Sequence, residues 1–417
     1  MSSSVVQRPL TGLPDYAGDG IYLHVRGERY IDCASGTFNV SLGYNAPGII
    51  AALHEQLDRV AHLSSEFTRD KSAEIFELMR DELPPHIGAF WLRDVTGSGA
   101  NEAAIRIAQK ATGRSDIFSL FLSHHGQTVG TTGISGNAFR QRSFTLPFAN
   151  SVKIPAPDCG NCFYGQVADR CGMLCARRLE DFVEYASSGQ VAAVVVEPVM
   201  GNGGNIVPPP DYYRVLRETC DKLGVLIIAD EVQTGFGRTG SFFASTGYAA
   251  ALRPDIITFA KGAGGVGIPV AGVLMRPELD VLESWEHSST SGANPLALVA
   301  LEETIRYIKD HRVLDNVAAV AGPLHRGLLA LAAAFPSMSG VRGVGLMQAF
   351  DLPTSVDVEQ FIALGRQHGL ILRGSRYGFG RTVKVRPPLI ITREQVDELL
   401  TRLHDTLRSY EKEATRP

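Results

Sequence analysis

Short apolar runs recur along the chain, and each ends in a polar residue or a glycine turn before an amphipathic stretch begins. The runs AAVVV, VLIIA and IITFA come directly before Glu197, Asp230 and Lys261. Runs this short and this rich in Val and Ile are typical of strands buried on both faces of a parallel sheet. Amphipathic segments such as YYRVLRETCDKLG, residues 212–224, predict crossover helices, so the pattern indicates an α/β fold.

The same patterns divide the chain into three parts. Alternation in IYLHV and RYIDC predicts an N-terminal arm of strands and turns over residues 1–50, which packs with a small domain. Residues 51–305 form the predicted large domain. The helical pattern that begins at Asn294 leads out of it into a smaller C-terminal α/β domain, residues 306–417. That domain contains the strand candidates MQAF, LILRG and TVKVRPPL and ends in a helix that begins at Thr392.

Composition excludes several classes of protein. The 417 residues are 44% hydrophobic and 20% charged, as in folded proteins of two or three domains. Forty Lys and Arg against 44 Asp and Glu give a net charge of −4 without a basic block, so we expect no nucleic-acid partner. No run reaches the roughly 18 consecutive apolar residues of a membrane span, and the N-terminal segment does not have the pattern of a signal peptide. We therefore expect a cytoplasmic protein.

Three strand ends carry candidate chemistry. In parallel sheets the carboxyl ends of the strands meet at one edge, so Glu197, Asp230 and Lys261 are expected to share a site. A buried lysine loses proton affinity, and its neutral amine can form a Schiff base. An aspartate there could keep a pyridinium nitrogen protonated, as pyridoxal phosphate requires. Taken singly, a solvent-facing lysine and a helix-capping aspartate are the more common explanations of these positions.

A glycine turn between a strand and a helix is a candidate anion site. The stretch WLRDV is followed by Thr96, Gly97, Ser98 and Gly99 and then by the helical pattern ANEAAIRIAQKA. Backbone N–H groups at a helix N-terminus, with a serine hydroxyl, can bind phosphate. The spacing fits neither a Walker loop nor a dinucleotide fingerprint. A plain capped turn is the alternative.

Three strings in one order make the chain resemble a known family. DEVQTGFGRTG, FAKGAGG and the glycine turn before ANEAA are similar to the motifs of the class III aminotransferases, which are pyridoxal-phosphate enzymes of fold type I. The resemblance covers residues 30–391. It implies a mostly parallel seven-stranded sheet flanked by helices, with a smaller C-terminal domain. It also implies transfer of an amino group between a primary amine (an omega-amino acid, diamine or amino sugar) and a keto acid, through aldimine and ketimine intermediates.

The resemblance assigns roles to residues near the cofactor ring. Lys261 carries the aldimine and moves protons, and Asp230 pairs with the pyridine nitrogen. Gln233 reaches the phenolic oxygen of the ring, and Val232 packs against one of its faces.

Further roles concern the phosphate and the subunit contact. The family pattern implies that Gly97 and Ser98 cradle the phosphate and that Thr290 reaches the phosphate of the neighbouring subunit. A homodimer with shared active sites follows from that role of Thr290. Glu197 matches a family glutamate that lies behind the cofactor, near Gln233.

The chain departs from the family pattern at three positions. His124 stands where most relatives carry an aromatic ring that stacks on the cofactor, and imidazole can either stack or exchange a proton. Asn202 replaces a glutamate that pairs with the substrate-binding arginine. Lys384 replaces that arginine, and Arg386, two residues on, shares its strand face. We expect both cations to bind a carboxylate of the acceptor, while the amine approaches from the side of Phe38.

Four cysteines form a cluster whose purpose the sequence leaves open. Cys159, Cys162, Cys171 and Cys175 could bind zinc, form disulfides, or belong to a surface loop inherited within the family. No metal is assigned to the chain on this basis.

The function has one main alternative. A pyridoxal-phosphate lyase, decarboxylase or epimerase would begin from the same aldimine, and the sequence does not show which bond of the substrate is broken. A non-enzymatic binding or regulatory protein is disfavoured because Lys261 and Asp230 are both present.

Overall fold

The chain is described here by a computed structural model, which covers residues 15–142, 150–353, 358–375 and 380–414. Within these ranges it forms three β-sheets with helices packed around them. The strands are β1 Tyr16–Asp19, β2 Tyr22–Val25, β3 Glu28–Asp32, β4 Ala89–Asp94, β5 Asp116–Leu120, β6 Ser151–Ile154, β7 Val191–Val196, β8 Leu226–Asp230, β9 Ile256–Phe259, β10 Ala271–Met275, β11 Ser339–Val344, β12 Met347–Asp351, β13 Leu370–Ile371, β14 Arg373–Gly374 and β15 Thr382–Val385.

The helices alternate with the strands in the middle of the chain and dominate its C-terminal part. They are α1 Ser35–Phe38, α2 Pro47–Arg59, α3 Arg69–Met79, α4 Gly97–Thr112, α5 Val129–Ile134, α6 Ala138–Gln141, α7 Leu174–Arg177, α8 Leu179–Ala186, α9 Pro210–Leu223, α10 Pro295–Asp310, α11 Val313–Ala334, α12 Val358–Gln367 and α13 Arg393–Ala414.

The largest sheet has seven strands in the order β4-β10-β9-β8-β7-β5-β6. Strand β10 is antiparallel to both of its neighbours, and the other adjacent pairs are parallel. Every residue of β5, β7 and β9 is buried, as expected for strands covered on both faces. The predicted mostly parallel seven-stranded α/β fold is therefore confirmed.

Two four-stranded sheets flank the large one. The first has the order β1-β2-β3-β13, so the N-terminal strands pair in parallel with a strand from the C-terminal part of the chain. The second is antiparallel, in the order β11-β12-β15-β14, and its register places Arg373 of β14 directly opposite Lys384 of β15. The domain boundaries at residues 50 and 305 stay predictions.

Helix α11 is, within the described ranges, the one helix long and apolar enough to cross a membrane by length and composition. Its buried side chains recur at intervals of three and four residues, and the helix contacts α13 and β11. This spacing is that of an amphipathic helix whose apolar side faces a protein core. The buried positions are Val313, Val317, Val320, Leu324, Leu328 and Leu331.

Candidate active site

A cavity of about 220 Å³ lies where the carboxyl edge of the large sheet meets the antiparallel C-terminal sheet. The parallel register brings the ends of β8 and β9 to this edge, and the segment after β15 closes the opposite side. The structure brings ten of the twelve predicted site residues to its wall. These are Phe38, Gly97, Ser98, His124, Asp230, Val232, Gln233, Lys261, Lys384 and Arg386.

Asp230 is buried at the end of β8 and is held by three donors. Its Oδ2 accepts hydrogen bonds from Asn101 Nδ2 and His125 Nδ1, both at 2.8 Å, and its Oδ1 accepts from the backbone N–H of Val232 at 3.1 Å. Burial raises the pKa of Asp230, but the hydrogen bond and charge of His125 and the charge of Lys261 outweigh it and leave the pKa lowered. Asp230 is therefore a carboxylate with a fixed orientation.

The two side chains that hold Asp230 were not predicted from the sequence. Asn101, in the first turns of α4, also donates to the backbone oxygen of His125 at 2.7 Å and accepts from Thr258 Oγ1 at 2.7 Å. His125 lies next to the predicted His124, and its backbone N–H donates to Ser135 Oγ at 2.9 Å. The adjacent His-His-Gly string was the available signal, but nothing local indicates which ring faces the aspartate.

Lys261 lies just beyond β9 and begins the short 3-10 turn Lys261–Gly264. Its φ of 47° is in the left-handed region, which costs a residue with a Cβ roughly 1–3 kcal/mol and is typical of functional sites. The half-buried side chain reaches the cavity. Burial lowers the pKa of Lys261. The negative charges of Asp230 and Glu197 oppose this effect, whereas the positive charges of Arg386 and Arg373 add to it. A neutral amine is thus accessible at this position.

The glycine turn before α4 forms a cradle at the helix N-terminus. Thr96 caps the helix by accepting from the backbone N–H of Gly99 at 3.1 Å. A Cβ on Gly97 would lie 2.8 Å from Val232, so only glycine fits there. Ser98 Oγ accepts from the backbone N–H of Gln127 at 3.0 Å. The hydroxyl and the free N–H groups of a 16-residue helix can bind an anion.

Glu197 is buried behind the cavity rather than on its wall. Its carboxylate accepts from the backbone N–H groups of His124 at 2.8 Å and Gly201 at 3.0 Å, and so fixes the two loops that carry them. Burial raises the pKa of Glu197 to about 6. His124 itself lines the cavity, as its assignment to a ring-stacking position requires.

Arg386 is buried and is oriented by uncharged partners. Its guanidinium donates to Asn205 Oδ1, to the backbone oxygen of Gly201 at 3.2 Å and to Gln233 Oε1 at 3.4 Å. The same group lies 4.4 Å from the ring centre of Phe38, a cation–π contact. No carboxylate pairs with Arg386 among the described residues.

Two further cations complete one side of the cavity. Lys384 is 4% exposed, and its Nζ has no hydrogen-bond partner in the described part of the chain. Arg373, which the sequence reasoning missed, lies at the mouth and donates to Thr37 Oγ1 at 2.6 Å. We call Arg373, Lys384 and Arg386 the cation face. Asn202 also lines the cavity, and among the described lining residues Asp230 is the one acid.

Thr290 is not brought to this cavity within one chain. It is exposed and lies in the segment before α10. Its assigned role concerns the neighbouring subunit and stays a prediction.

The four clustered cysteines line a separate small cavity of about 20 Å³ with an almost wholly apolar wall. All four are free thiols. Within the described ranges no three or more Cys, His, Asp or Glu side chains converge as metal donors.

The fold and the site together define a pyridoxal-phosphate-dependent transferase of fold type I. The taurine:2-oxoglutarate aminotransferase of Bifidobacterium kashiwanohense, solved in complex with the cofactor and glutamate, superposes with a TM-score of 0.86 at 27% identity, covering 95% of this chain and 92% of that one. The sequence profile of the class III aminotransferases matches residues 8–407, and the chain belongs to this family.

Curated relatives extend the comparison. The diaminobutyrate–2-oxoglutarate transaminase of Wolinella succinogenes is 34% identical over 388 residues, covering 91% of this chain and 88% of that protein. The leucine/methionine racemase of Thermococcus litoralis is 30% identical over 406 residues, covering 93% of this chain and 88% of that protein. The chain is accordingly a pyridoxal-phosphate-dependent aminotransferase that uses an amine and a keto acid.

Proposed function

We propose that the enzyme transfers the amino group of a primary amine to a keto acid whose carboxylate binds at the cation face. The observation that carries this proposal is the asymmetry of the cavity wall. Lys261 and Asp230 line the cavity from the large sheet. Three cations line it from the C-terminal sheet and the segment after it, and none of them pairs with a carboxylate among the described residues. A carboxylate-bearing substrate would supply the missing negative charge.

The residues present fit pyridoxal phosphate. Gly97 and Ser98 would hold its phosphate, Asp230 its ring nitrogen and Gln233 its phenolic oxygen, with Val232 and His124 on the two ring faces. When bound, this group withdraws electrons from the carbon that carries the substrate's nitrogen.

Lys261 would then act as the base and acid of the reaction. Because burial lowers its pKa, Nζ can accept a proton from the amine-bearing carbon of the substrate and later release it. Asp230, whose pKa is lowered, keeps its negative charge throughout, since His125 and Asn101 hold it in place.

The amine substrate is proposed from chemistry and from the relatives. The transaminase from Wolinella succinogenes is named for diaminobutyrate, and the one from Bifidobacterium kashiwanohense for taurine, both with 2-oxoglutarate. Each of these amines is small and also carries an acid group. We therefore place an omega-amino acid or a diamino acid ahead of a simple diamine or an amino sugar.

We also propose a cytoplasmic homodimer with shared active sites. Trp285 and Phe67 are 79% and 74% exposed in the single chain, which is unusual for large apolar side chains and typical of a surface that a partner covers. Trp285 lies in the same segment as Thr290, which is proposed to reach the phosphate bound to the partner.

Racemisation is a second candidate activity, favoured by the similarity to the racemase of Thermococcus litoralis. It needs the same proton removal by Lys261 but returns the proton to the same carbon.

One experiment separates the two activities. Purified holoenzyme is mixed with a panel of amines in deuterated water without keto acid, and the cofactor absorbance and the amine's deuterium content are followed. A transaminase bleaches the aldehyde-form absorbance with its true donor. Deuterium incorporation and loss of optical purity without bleaching would establish a racemase and overturn the main proposal.

A further inference from the structure

Lys384 occupies an unusual position for a lysine. It lies in the middle of β15, is 4% exposed and lines both the site cavity and the larger cavity outside it. Its cross-strand neighbours are Arg373 on β14 and Ala349 on β12. Arg386, two residues along the same strand direction, projects to the same side.

This surrounding is unfavourable for an ammonium group. Like charges directly opposite each other on adjacent strands are destabilising. A buried charge also requires a partner, and Lys384 has none in the described ranges. Burial lowers the pKa of Lys384 well below its ordinary value, and Arg386 and Arg373 lower it further.

The acids near Lys384 have other partners. Asp32 accepts from the backbone N–H groups of Ala34 and Gly36 and from Tyr44, and Glu197 accepts from two backbone N–H groups. On β12, Asp351 pairs with Arg342. Among the described residues, the charged groups that line the same two cavities as Lys384 or act on its pKa are Arg373, Arg386, Glu197, Lys261, Asp230, Asp32, Glu359 and Arg366.

We propose that Lys384 is an uncharged amine while the cavity holds no acceptor, and that it takes up one proton from solvent when a dicarboxylate keto acid binds. This inference rests on the proposed acceptor site and adds the protonation change that accompanies binding of the acceptor. An entering carboxylate gives Nζ a hydrogen-bond acceptor and offsets the repulsion from Arg373 and Arg386, so the ammonium form becomes the stable one. A ligand with two carboxylates is favoured, because three cations face the ligand once Lys384 is protonated.

The family arginine at this position provides the contrast. A guanidinium stays protonated at every physiological pH, so it would bind a carboxylate without taking up a proton. Lysine makes acceptor binding depend on pH, and affinity should fall as pH rises above the range where the free amine can be protonated.

The test is calorimetric titration of the holoenzyme with glutarate, a dicarboxylate that lacks a carbonyl and cannot react. Titrations in two buffers of different ionisation enthalpy, at several pH values from 7 to 9, give the number of protons taken up per bound glutarate. We expect about one for the wild-type enzyme and about zero for Lys384→Arg, with a wild-type Kd that rises about tenfold per pH unit at the upper end.

Two results would overturn the proposal. If the wild-type enzyme binds glutarate without proton uptake, Lys384 does not change its protonation state on binding. Uptake that persists unchanged in Lys384→Arg belongs to another group, such as Glu197. Lys384→Met, which removes the amine, should likewise take up no proton and replaces Lys384→Arg in the test if that variant does not fold. The bleaching of cofactor absorbance by an amine, measured on the same wild-type preparation, tests the aminotransferase proposal separately.

Discussion

The two ends of the active-site cavity differ in how their buried charges are compensated. At the cofactor end, Asp230 accepts from His125, Asn101 and a backbone N–H group, so its charge is matched in the folded chain. At the cation face, Lys384 and Arg386 are buried without a carboxylate partner in the described part of the chain. The charge of Asp230 is matched within the chain, whereas we propose that a ligand carboxylate matches the charge of the cation face.

This difference follows from what each end does. A group that must keep one protonation state through every cycle benefits from fixed hydrogen bonds in a buried site. A group that binds one carboxylate after another cannot have a carboxylate of its own without competing with its substrate. Where the resemblance to the family implies a glutamate, this chain has Asn202, so no carboxylate at this position competes with the acceptor for the cations.

The largest effect is expected at Lys261. Lys261→Ala should abolish the Schiff base and lower the rate of amino transfer by at least about a thousandfold, because base and covalent anchor are lost together. Borohydride reduction and peptide mapping of the wild-type enzyme should place the label on Lys261.

Lys153 provides a matched control for this labelling. Burial lowers the pKa of Lys153 to about 8, yet the residue lies on β6 and not on the cavity wall. Reactivity due to a low pKa alone would label both lysines. A label on Lys153 without one on Lys261 would contradict the assignment.

A smaller but still large effect is expected at Asp230. Asp230→Asn keeps the shape but loses the negative charge, so the amine half-reaction should slow by about 10²–10⁴-fold. Asp230→Glu keeps the charge and should lose less. Stopped-flow absorbance with a single amine measures both, and a larger loss in Asp230→Glu than in Asp230→Asn would show that position, rather than charge, is what matters at the cofactor end.

The sequence predicted the cofactor end better than the cation face. Asp230 and Lys261 follow apolar runs that are readable locally, and parallel pairing necessarily brings such strand ends together. Asn101 and His125 were missed because their contact with Asp230 joins three distant segments. Arg373 was missed because its place opposite Lys384 depends on the register of β14, a strand of two residues. Local patterns do not specify such a register.

Substitutions in the cation face should impair the half-reaction with the keto acid more than the half-reaction with the amine. Lys384→Met or Arg386→Ala should raise the KM for the keto acid ten- to a hundredfold, about 1.4–3 kcal/mol of charge-assisted binding. The amine half-reaction should change far less, because the proposed division leaves Lys384 and Arg386 to the carboxylate of the acceptor.

Lys384→Met is the cleaner of the two variants, since Arg386 also holds Gly201, Asn205 and Gln233. Single-turnover rates over a range of amine and keto-acid concentrations give the two half-reactions separately. Equal damage to both would mean that amine and acceptor share the cation face, and the division between the two substrates would be wrong.

The smallest effect concerns Thr290, which lies outside the cavity of its own chain. Loss of one hydrogen bond to a phosphate, worth about 1.5–3 kcal/mol, should raise the Kd for pyridoxal phosphate about tenfold or more in Thr290→Ala. Ser288→Ala, which removes a neighbouring exposed hydroxyl, is the control and should leave the Kd unchanged.

Hybrid dimers of a Lys261→Ala chain and a Thr290→Ala chain show which subunit provides the threonine. If Thr290 acts on the partner's site, the site that contains Lys261 receives an intact Thr290 from the Lys261→Ala chain. The activity of the hybrid then saturates at the same cofactor concentration as that of the wild-type enzyme. If it acts on its own site, the hybrid saturates only at the raised concentration of the Thr290→Ala variant, and shared active sites would be excluded.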